Sequence, residues 1–395
     1  MAEWSKTQLS DILVDKGYIR GPFGSALKRG DMKDNGVPVY EQQHAIYDSR
    51  CFRYYIDEQK FVEMKRFQVN TDDLIISCSG TVGKVSIIRD DDPKGIISQA
   101  LLLLRVDKNK ILPLYLKYFF SSRDGYNAIV SRSSGSVQVN IAKRDVIEQI
   151  PLMLPKIETQ RKIVGVLNSI DKKIEENERI NNNLEQQAKA LYQDWFFDFS
   201  PFSIEGNLPN GWHLGTVGDI IQLHDSKRVP LSGSERDKME KIYPYYGATS
   251  LMDYVDNYLF DGIYLLLGED GTVVDSLGFP ILQYVYGQFW VNNHAHIITG
   301  KEGFSVEELY LFFSLTNIKS IVTGAVQQKV SQQSLKKVPA IIPSKEALSA
   351  FDDLIQPVFA QIRNLRDENA HLADLRDTLL PRLMSGELDV SNIEI

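Results

Sequence analysis

Cysteine is nearly absent from this chain. Two occur in 395 residues, Cys51 and Cys78, isolated and without metal-ligand spacing, which argues against a disulfide framework or a zinc site. Long apolar runs are missing too. The longest, such as Ala100 to Leu104 and Ile263 to Leu267, fall far short of the roughly 20 residues a membrane-spanning helix needs, and Met1-Ala2-Glu3-Trp4-Ser5 lacks the layout of a signal peptide. A cytoplasmic protein is expected. Nor is there an excess of positive charge: 44 Lys and Arg stand against 52 Asp and Glu, a net of -8. Residues 1–155 carry 22 basic against 19 acidic side chains, and 201–343 carry 10 against 15. A solitary nucleic-acid binder shows a basic footprint. Any such contact here must be local, or shared with a more basic partner.

Catalytic signatures are equally scarce. There is no Asn/Asp-Pro-Pro-aromatic motif and no GxGxxG, and Gly80-Thr81-Val82-Gly83-Lys84 has neither the spacing nor the following Ser or Thr of a phosphate loop. His294-Ala295-His296 offers two potential metal ligands on a strand-like run, with no third nearby. Glu63-Met64-Lys65 resembles half of a nuclease metal site but has no partner carboxylate, and reads as an exposed charge pair.

What is present is a repeat built on two long helices. Ile163, Leu167, Ile170, Ile174, Asn177, Asn181, Leu184, Ala188, Leu191 and Trp195 follow one another in steps of four and three, and no Pro or Gly interrupts the run after Gly165. That is a heptad seam on a rod of about 40 residues, or about 60 Å. Displaced by 188 residues, Phe351, Ile355, Val358, Ile362, Leu365, Asn369, Leu372, Arg376, Leu379 and Leu383 repeat it ten positions for ten. Trp4 corresponds to Trp212, Pro38 to Pro244, Gly80-Thr81-Val82 to Gly271-Thr272-Val273, and Pro155 to Pro343. The chain is one plan written twice: residues 1–155 a globular block, 156–199 a helix, 200–343 a second block, 344–390 a second helix. Two such rods can pair antiparallel within one chain, relating the halves by a pseudo-twofold axis. Asn181 and Asn369 lie near the middles of the rods and are expected to face each other, fixing the register at some cost in stability. Trp195, Phe196 and Phe197 concentrate aromatic surface at a rod end, expected to meet the second block or another subunit. A generic dimerisation coil is the alternative.

Within the blocks, Gly36 to Tyr40 and Asp72 to Ser77 read as strands, Gly95 to Arg105 as strand-like, and Leu114 to Ser121 as a helix. After the first strand comes the polar run Glu41-Gln42-Gln43-His44. Amide and imidazole groups at a strand end can read base edges; an exposed polar loop is the alternative. Arg132, Ser134, Ser136 and Gln138 lie in a basic, hydroxyl-rich loop, with Thr323, Gln327, Gln328 and Lys329 in its counterpart, both suited to phosphate contact or to packing on the rod. Pro38 and Gly80 stand 42 steps apart against 27 for Pro244 and Gly271. The first block therefore holds an insertion of 15 residues, around Tyr47 to Arg66, that carries Arg50, Arg53, Lys65 and Arg66. Lys227, Arg228 and Thr249 complete the candidates in the second block.

The chain resembles the specificity subunit of type I restriction-modification systems. The resemblance rests on Gly21-Pro22-Phe23-Gly24-Ser25, Leu154-Pro155-Lys156-Ile157-Glu158-Thr159-Gln160, Asp194-Trp195-Phe196-Phe197-Asp198-Phe199, Leu208-Pro209-Asn210-Gly211-Trp212, Tyr245-Tyr246-Gly247-Ala248-Thr249, Gly268-Glu269-Asp270-Gly271 and Leu379 to Leu388. It implies a mixed α/β (α+β) fold with two target-recognition domains joined by two antiparallel coiled-coil helices. Each domain would read one half of an interrupted sequence in double-stranded DNA, and the chain itself would be non-catalytic and without cofactor. The helices would set the spacer and dock two adenine methyltransferase (modification) subunits, which carry S-adenosylmethionine; ATP-dependent restriction subunits can join. The seam residues Ile163, Leu167, Ile174, Asn181, Leu184, Leu191, Trp195, Phe196, Phe197, Phe351, Ile355, Ile362, Asn369, Leu372, Leu379 and Leu383 would serve that docking. One departure is visible: Glu346 matches Glu158, but Leu348 stands where the first rod has Gln160. The competing classes are a stand-alone nuclease or methyltransferase, and a scaffold whose blocks bind protein. The sequence recognised is not legible, because readout depends on exact side-chain placement and on DNA shape.

Overall fold

The computed structural model describes residues 4–23, 26–133, 139–202, 208–324, 327–391 and 393, and the backbone alone at 204 and 205. It divides into two compact units, residues 1–175 with 369–395, and residues 176–368. Each holds one globular block and part of each of two 40-residue helices, Ile157–Phe196 and Lys345–Met384. Among the described residues no helix is long and apolar enough to cross a membrane.

In the first unit a four-stranded antiparallel sheet runs in the order Leu13–Arg20, Leu101–Val106, Leu74–Ser77, Val85–Ile87. The second unit repeats it with Ile221–Leu223, Ala295–Gly300, Tyr264–Gly268 and Leu282–Val285. The central strands are continuous apolar runs because both faces are covered. Leu102 and Leu104 pack toward the helices and the rod, with Ile163, Leu167, Leu380 and Leu383; Leu101 and Leu103 pack the other way, with Tyr40 and Ile97. The second unit alternates likewise. Leu265 and Leu267 join Phe351 and Ile355, whereas Leu266 joins Phe289 and Val291. Burying each such leucine contributes about 2 kcal/mol.

A smaller sheet covers the far face. Val37–Tyr40 pairs parallel with Ile96–Ile97 and antiparallel with Tyr55–Ile56; Tyr243–Tyr246 pairs parallel with Gln288–Val291 and antiparallel with Leu251–Val255. Pro38 and Pro244 occupy equivalent places in these registers. A two-stranded ribbon then closes each block at the start of a long helix. Trp4 sits opposite Pro155, and the second ribbon pairs His213 with Ile342 and Thr216 with Pro339. The insertion in the first block forms the helix Glu58–Glu63 and the turn Lys65–Phe67.

Within each unit the two helices run antiparallel. In the first, Arg376 donates to Asp171 at 3.0 Å, Asn369 donates to the Ile174 carbonyl at 3.3 Å, and Ile163 shares a core with Leu383. In the second, Asn177 donates to Glu368 at 2.8 Å and Arg366 to Glu185 at 2.9 Å, and Phe351 lies 4.8 Å from the Phe196 ring. Inside the second unit it is thus Asn177 that meets the opposite helix, and Asn181, also buried, lies one turn further on.

Two sequence expectations need correction. The run Gly95 to Arg105 is not one strand: it breaks after Ile97 into a turn, Ser98-Gln99-Ala100, and resumes at Leu101. The seam also widens. Ile163, Leu167, Ile170, Asn177, Asn181 and Ala188 are buried, and at the far end Tyr192 and Phe196 are buried as well, while Leu191 and Trp195 are half-buried against the same core, Trp195 5.4 Å from the Phe351 ring. A helix of 3.6 residues per turn drifts by about 20° per heptad from a strict seam. Over the four to five heptads from Ile163 to Trp195 that drift amounts to about one residue. On the second helix Phe351, Ile355, Ile362 and Leu383 are buried, and Asn369, Leu372 and Leu379 are half-exposed.

Candidate nucleic-acid interface

In each unit three polar segments converge at one end of the four-stranded sheet. In the first unit Gln42 Nε2 donates to the Ser79 carbonyl while Ser79 N donates to Gln42 Oε1 at 3.1 Å, so the strand-end segment is clamped to the Gly80 turn. Ser79 in turn donates its hydroxyl to Asn140 at 2.8 Å, and Gly80 N donates to the Val139 carbonyl at 2.8 Å, bringing in the far end of the hydroxyl-rich loop. In the second unit Asp270–Gly271 pairs with Gln328–Lys329, Thr323 bridges Lys329, and Gln283 holds the Gly247 carbonyl at 2.9 Å. Gly80 and Gly271 both adopt a positive φ, +68° and +90°, which suits a residue without Cβ, and among the described residues nothing lies within 4 Å of where a Cβ would stand. Thr81 and Thr272 are exposed beside them.

The turn that interrupts the expected long strand belongs to the same rim. Cys78 N donates to the Ala100 carbonyl at 2.9 Å and Glu269 N to the His294 carbonyl at 2.8 Å; Ser98 N donates to Tyr40 O at 2.8 Å and Asn292 N to Tyr246 O at 3.0 Å. Ile141 N to Cys78 O and Val330 N to Glu269 O complete the parallel, at 2.9 and 2.8 Å. The backbone frame of the rim is therefore duplicated bond for bond. Sequence reading missed Gln99 and Asn293 at the tips of these turns. The only signal was the polar interruption of an apolar run, Ser98-Gln99 and Asn292-Asn293-His294.

Several predicted readers are occupied by the fold. The run from Gln42 is a short helix, Gln42–Tyr47, rather than a loop. Gln42 is spent on Ser79, and Gln43 donates to the Cys51 carbonyl at 3.2 Å. His44 is fully buried, stacked on Phe52, with Nε2 at 3.1 Å from the Cys51 carbonyl. Burial lowers its pKa, partly offset by the carbonyls of Glu41 and Cys51. Arg50 is clamped by Asp92 at 2.6 Å and Asp48 at 3.1 Å. Arg132 donates to the Ala128 carbonyl at 2.8 Å. Arg228 sits between Glu269, at 2.6 Å, and the carbonyls of Asn293 and Ala295, where it braces the second turn.

Others stay accessible. Arg53 is exposed beside Glu41 at 2.8 Å and stacks on Tyr54; Lys65 and Arg66 are exposed on the inserted turn. Lys227, Thr249, Thr323, Gln327 and Lys329 are exposed, Gln328 is half-buried, and Lys329 lies 3.5 Å from Glu269. Ser134, Ser136 and Gln138 fall outside the described residues.

Asp225, Glu269 and His296 bring three potential metal-ligand atoms within 4.8 Å of one another. Protein groups already satisfy them. His296 joins Asp225 at 2.6 Å and the Val330 carbonyl at 2.9 Å, while Arg228 and Lys329 neutralise Glu269. Burial pushes the Asp225 carboxyl up, but His296, the Ile297 N–H and Arg228 outweigh it and hold the group below its usual range. Burial pushes the Cys78 thiol up to about 12 against the opposing effect of Arg20, so this cysteine is inert at neutral pH.

On the rods, Phe196 is buried among Tyr192, Trp212 and Phe351, and so belongs to the core of the second unit rather than to a docking surface. Phe197 remains 40% exposed. Gln160, fully buried, binds Leu112 N and the carbonyls of Lys110 and Pro155, while Leu348 sits in an apolar core. The polar contact is made once, as the departure at Leu348 implied.

The Type I restriction modification DNA specificity domain matches residues 1–186 and again 209–369. The Type I restriction enzyme MjaIX specificity subunit of Methanocaldococcus jannaschii is 24% identical over 322 residues, covering 73% of this chain and 72% of that one. The putative MjaX specificity subunit of the same organism is 22% identical over 419 residues, covering 98% and 94%. The crystal structure of the type I restriction-modification S subunit from M. genitalium shares the fold over 97% of this chain and 96% of its own, with a TM-score of 0.55 at 16% identity. With the domain matched in both copies, the chain belongs to the specificity-subunit family of type I restriction-modification systems, the DNA target-recognition component.

Proposed function

We propose that each unit reads one half of an interrupted DNA target and that the chain performs no chemistry itself. The observation that carries this reading is the duplicated rim: one backbone frame, built twice, presenting different side chains. A shared frame with unlike side chains suits two reading heads that dock alike on a duplex but recognise different bases. Thr81, Lys84, Thr272 and Lys329 are exposed donors on the rims, of the kind that holds phosphates. Because the chain is acidic overall, a more basic partner supplies much of the electrostatic affinity.

The partners in this reading are double-stranded DNA and two modification subunits that bring S-adenosylmethionine and methylate adenine, with restriction subunits joining for cleavage. The modification subunits dock on the helices, where Leu354 and Leu375 are exposed away from the seam and Phe197 is exposed just past the end of the first helix. The helices set the length of the unread gap. The test is to co-express the chain with its methyltransferase and map N6-methyladenine by single-molecule sequencing. A bipartite methylated motif is expected, and replacing residues 1–154 with the first block of a relative should change one half alone. A continuous motif, or a change in both halves, would overturn the reading.

A further inference from the structure

Gln99 and Asn293 occupy the same point of the duplicated frame. Each lies at the tip of the turn that enters the central strand, one residue after the backbone pair Ser98–Tyr40 or Asn292–Tyr246 and one before Ala100–Cys78 or His294–Glu269. The side chains on either side differ, Ser and Ala in one copy, Asn and His in the other. The tip residue is a carboxamide in both. Both tips are exposed, and neither amide forms a side-chain hydrogen bond among the described residues. Two other amides of the rim are spent inward, Gln42 on Ser79 and Gln283 on Gly247, whereas Gln327 of the second unit is exposed.

The turns are held rigidly from below. In the first unit the Gly21-Pro22-Phe23 segment lies so close that a Cβ on Gly21 would fall 1.9 Å from the Ser98 carbonyl and 2.9 Å from the Gln99 Cα. In the second, Arg228 ties the Asn293 and Ala295 carbonyls to Glu269. A braced turn leaves only the side chain's own torsions to be ordered on binding, because the backbone that carries it is already fixed.

We propose that Gln99 and Asn293 are equivalent base-reading residues, one per half-site, each placed to make the paired hydrogen bonds of a carboxamide with the N6 and N7 edge of an adenine in the major groove. The proposal rests on the reading that each unit binds one half-site. A carboxamide presents a donor and an acceptor side by side, which matches adenine, whereas a phosphate asks only for donors. The neighbouring Thr81, Thr272, Lys84 and Lys329 are of the latter kind.

The test uses the full chain with its methyltransferase subunit. Q99A should relax one A·T position in one half of the methylated motif, and N293A one position in the other, with a loss of discrimination of roughly 5- to 150-fold at that position. Q99E should move the preference at that position toward cytosine, whose N4 amine a carboxylate accepts. Both sites are exposed, so thermal unfolding should match the wild type; a variant that lost its fold would leave Q99E to decide. An unchanged motif in Q99A and N293A, or an equal loss of affinity for every sequence, would overturn the assignment while leaving the half-site reading intact. A wild-type complex with no bipartite motif would remove the half-site reading and the assignment together.

Discussion

Gln160 donates from Nε2 to the Pro155 carbonyl at 2.9 Å, closing the step by which the chain leaves its ribbon and enters the first long helix. The same amide accepts from Leu112 N at 2.9 Å, so one side chain ties ribbon, helix and block together without solvent. Q160L, which copies Leu348 of the second unit, leaves a buried N–H and two carbonyls without this partner. A loss of roughly 1–3 kcal/mol in denaturant unfolding is expected. The reciprocal L348Q buries an amide in an apolar core and should cost at least as much. Equal stability of Q160L and wild type would show that the amide is dispensable there.

Glu308 gives the second unit a pH dependence. It is fully buried, one oxygen accepts from Ser305 N at 2.8 Å, and the other has no hydrogen-bond partner among the described residues. Burial raises its pKa from 4.5 to about 8. Between those values the unfolded chain releases the proton that the folded chain keeps, so stability is greatest below about 4.5 and falls as pH rises toward 8, by up to about 1.4 kcal/mol per pH unit. E308Q removes the titration. Its unfolding midpoint should decline less than that of wild type between pH 5 and 8. Parallel curves would show that Glu308 is ionised in the folded state.

Phe196 and Phe197 are neighbours with opposite roles. F196S opens a cavity among Tyr192, Trp212 and Phe351 and should destabilise the second unit by roughly 3–5 kcal/mol. F197S should change stability by less than about 1 kcal/mol but weaken co-purification with the methyltransferase. Full retention of the complex by F197S would exclude this side chain from the docking surface.

The helices can be tested as a ruler. Asp171 faces Arg376 and Ile174 faces Asn369, so heptads inserted after Lys173 and after Leu372 lengthen both helices where they face each other. The gap between half-sites should widen by about 10 Å, or about three base pairs, with both halves unchanged. Three pairs also turn the second half-site by roughly 100°, so affinity should fall. Methylation of the original gap by an active variant would show that the helices do not set it.

The sequence by itself determined the repeat, the two helices and the apolar central strands, because each is written in periodicity: four-three steps for a seam, unbroken leucine and isoleucine runs for a sheet covered on both faces. It also carried the family resemblance, through short motifs in a fixed order. What a polar side chain does was decided only by the tertiary structure. Gln42 and Gln99 are the same residue type beside the same rim, yet one is locked onto Ser79 and the other points to solvent. That difference depends on which distant backbone groups the fold brings within hydrogen-bond reach, and no local pattern encodes it. The deeper burial of Tyr192 and Phe196 beside the half-buried Leu191 and Trp195 has the same origin. Heptad spacing predicts a straight stripe, while helical drift and the block packed against the rod's end decide which side of it is buried.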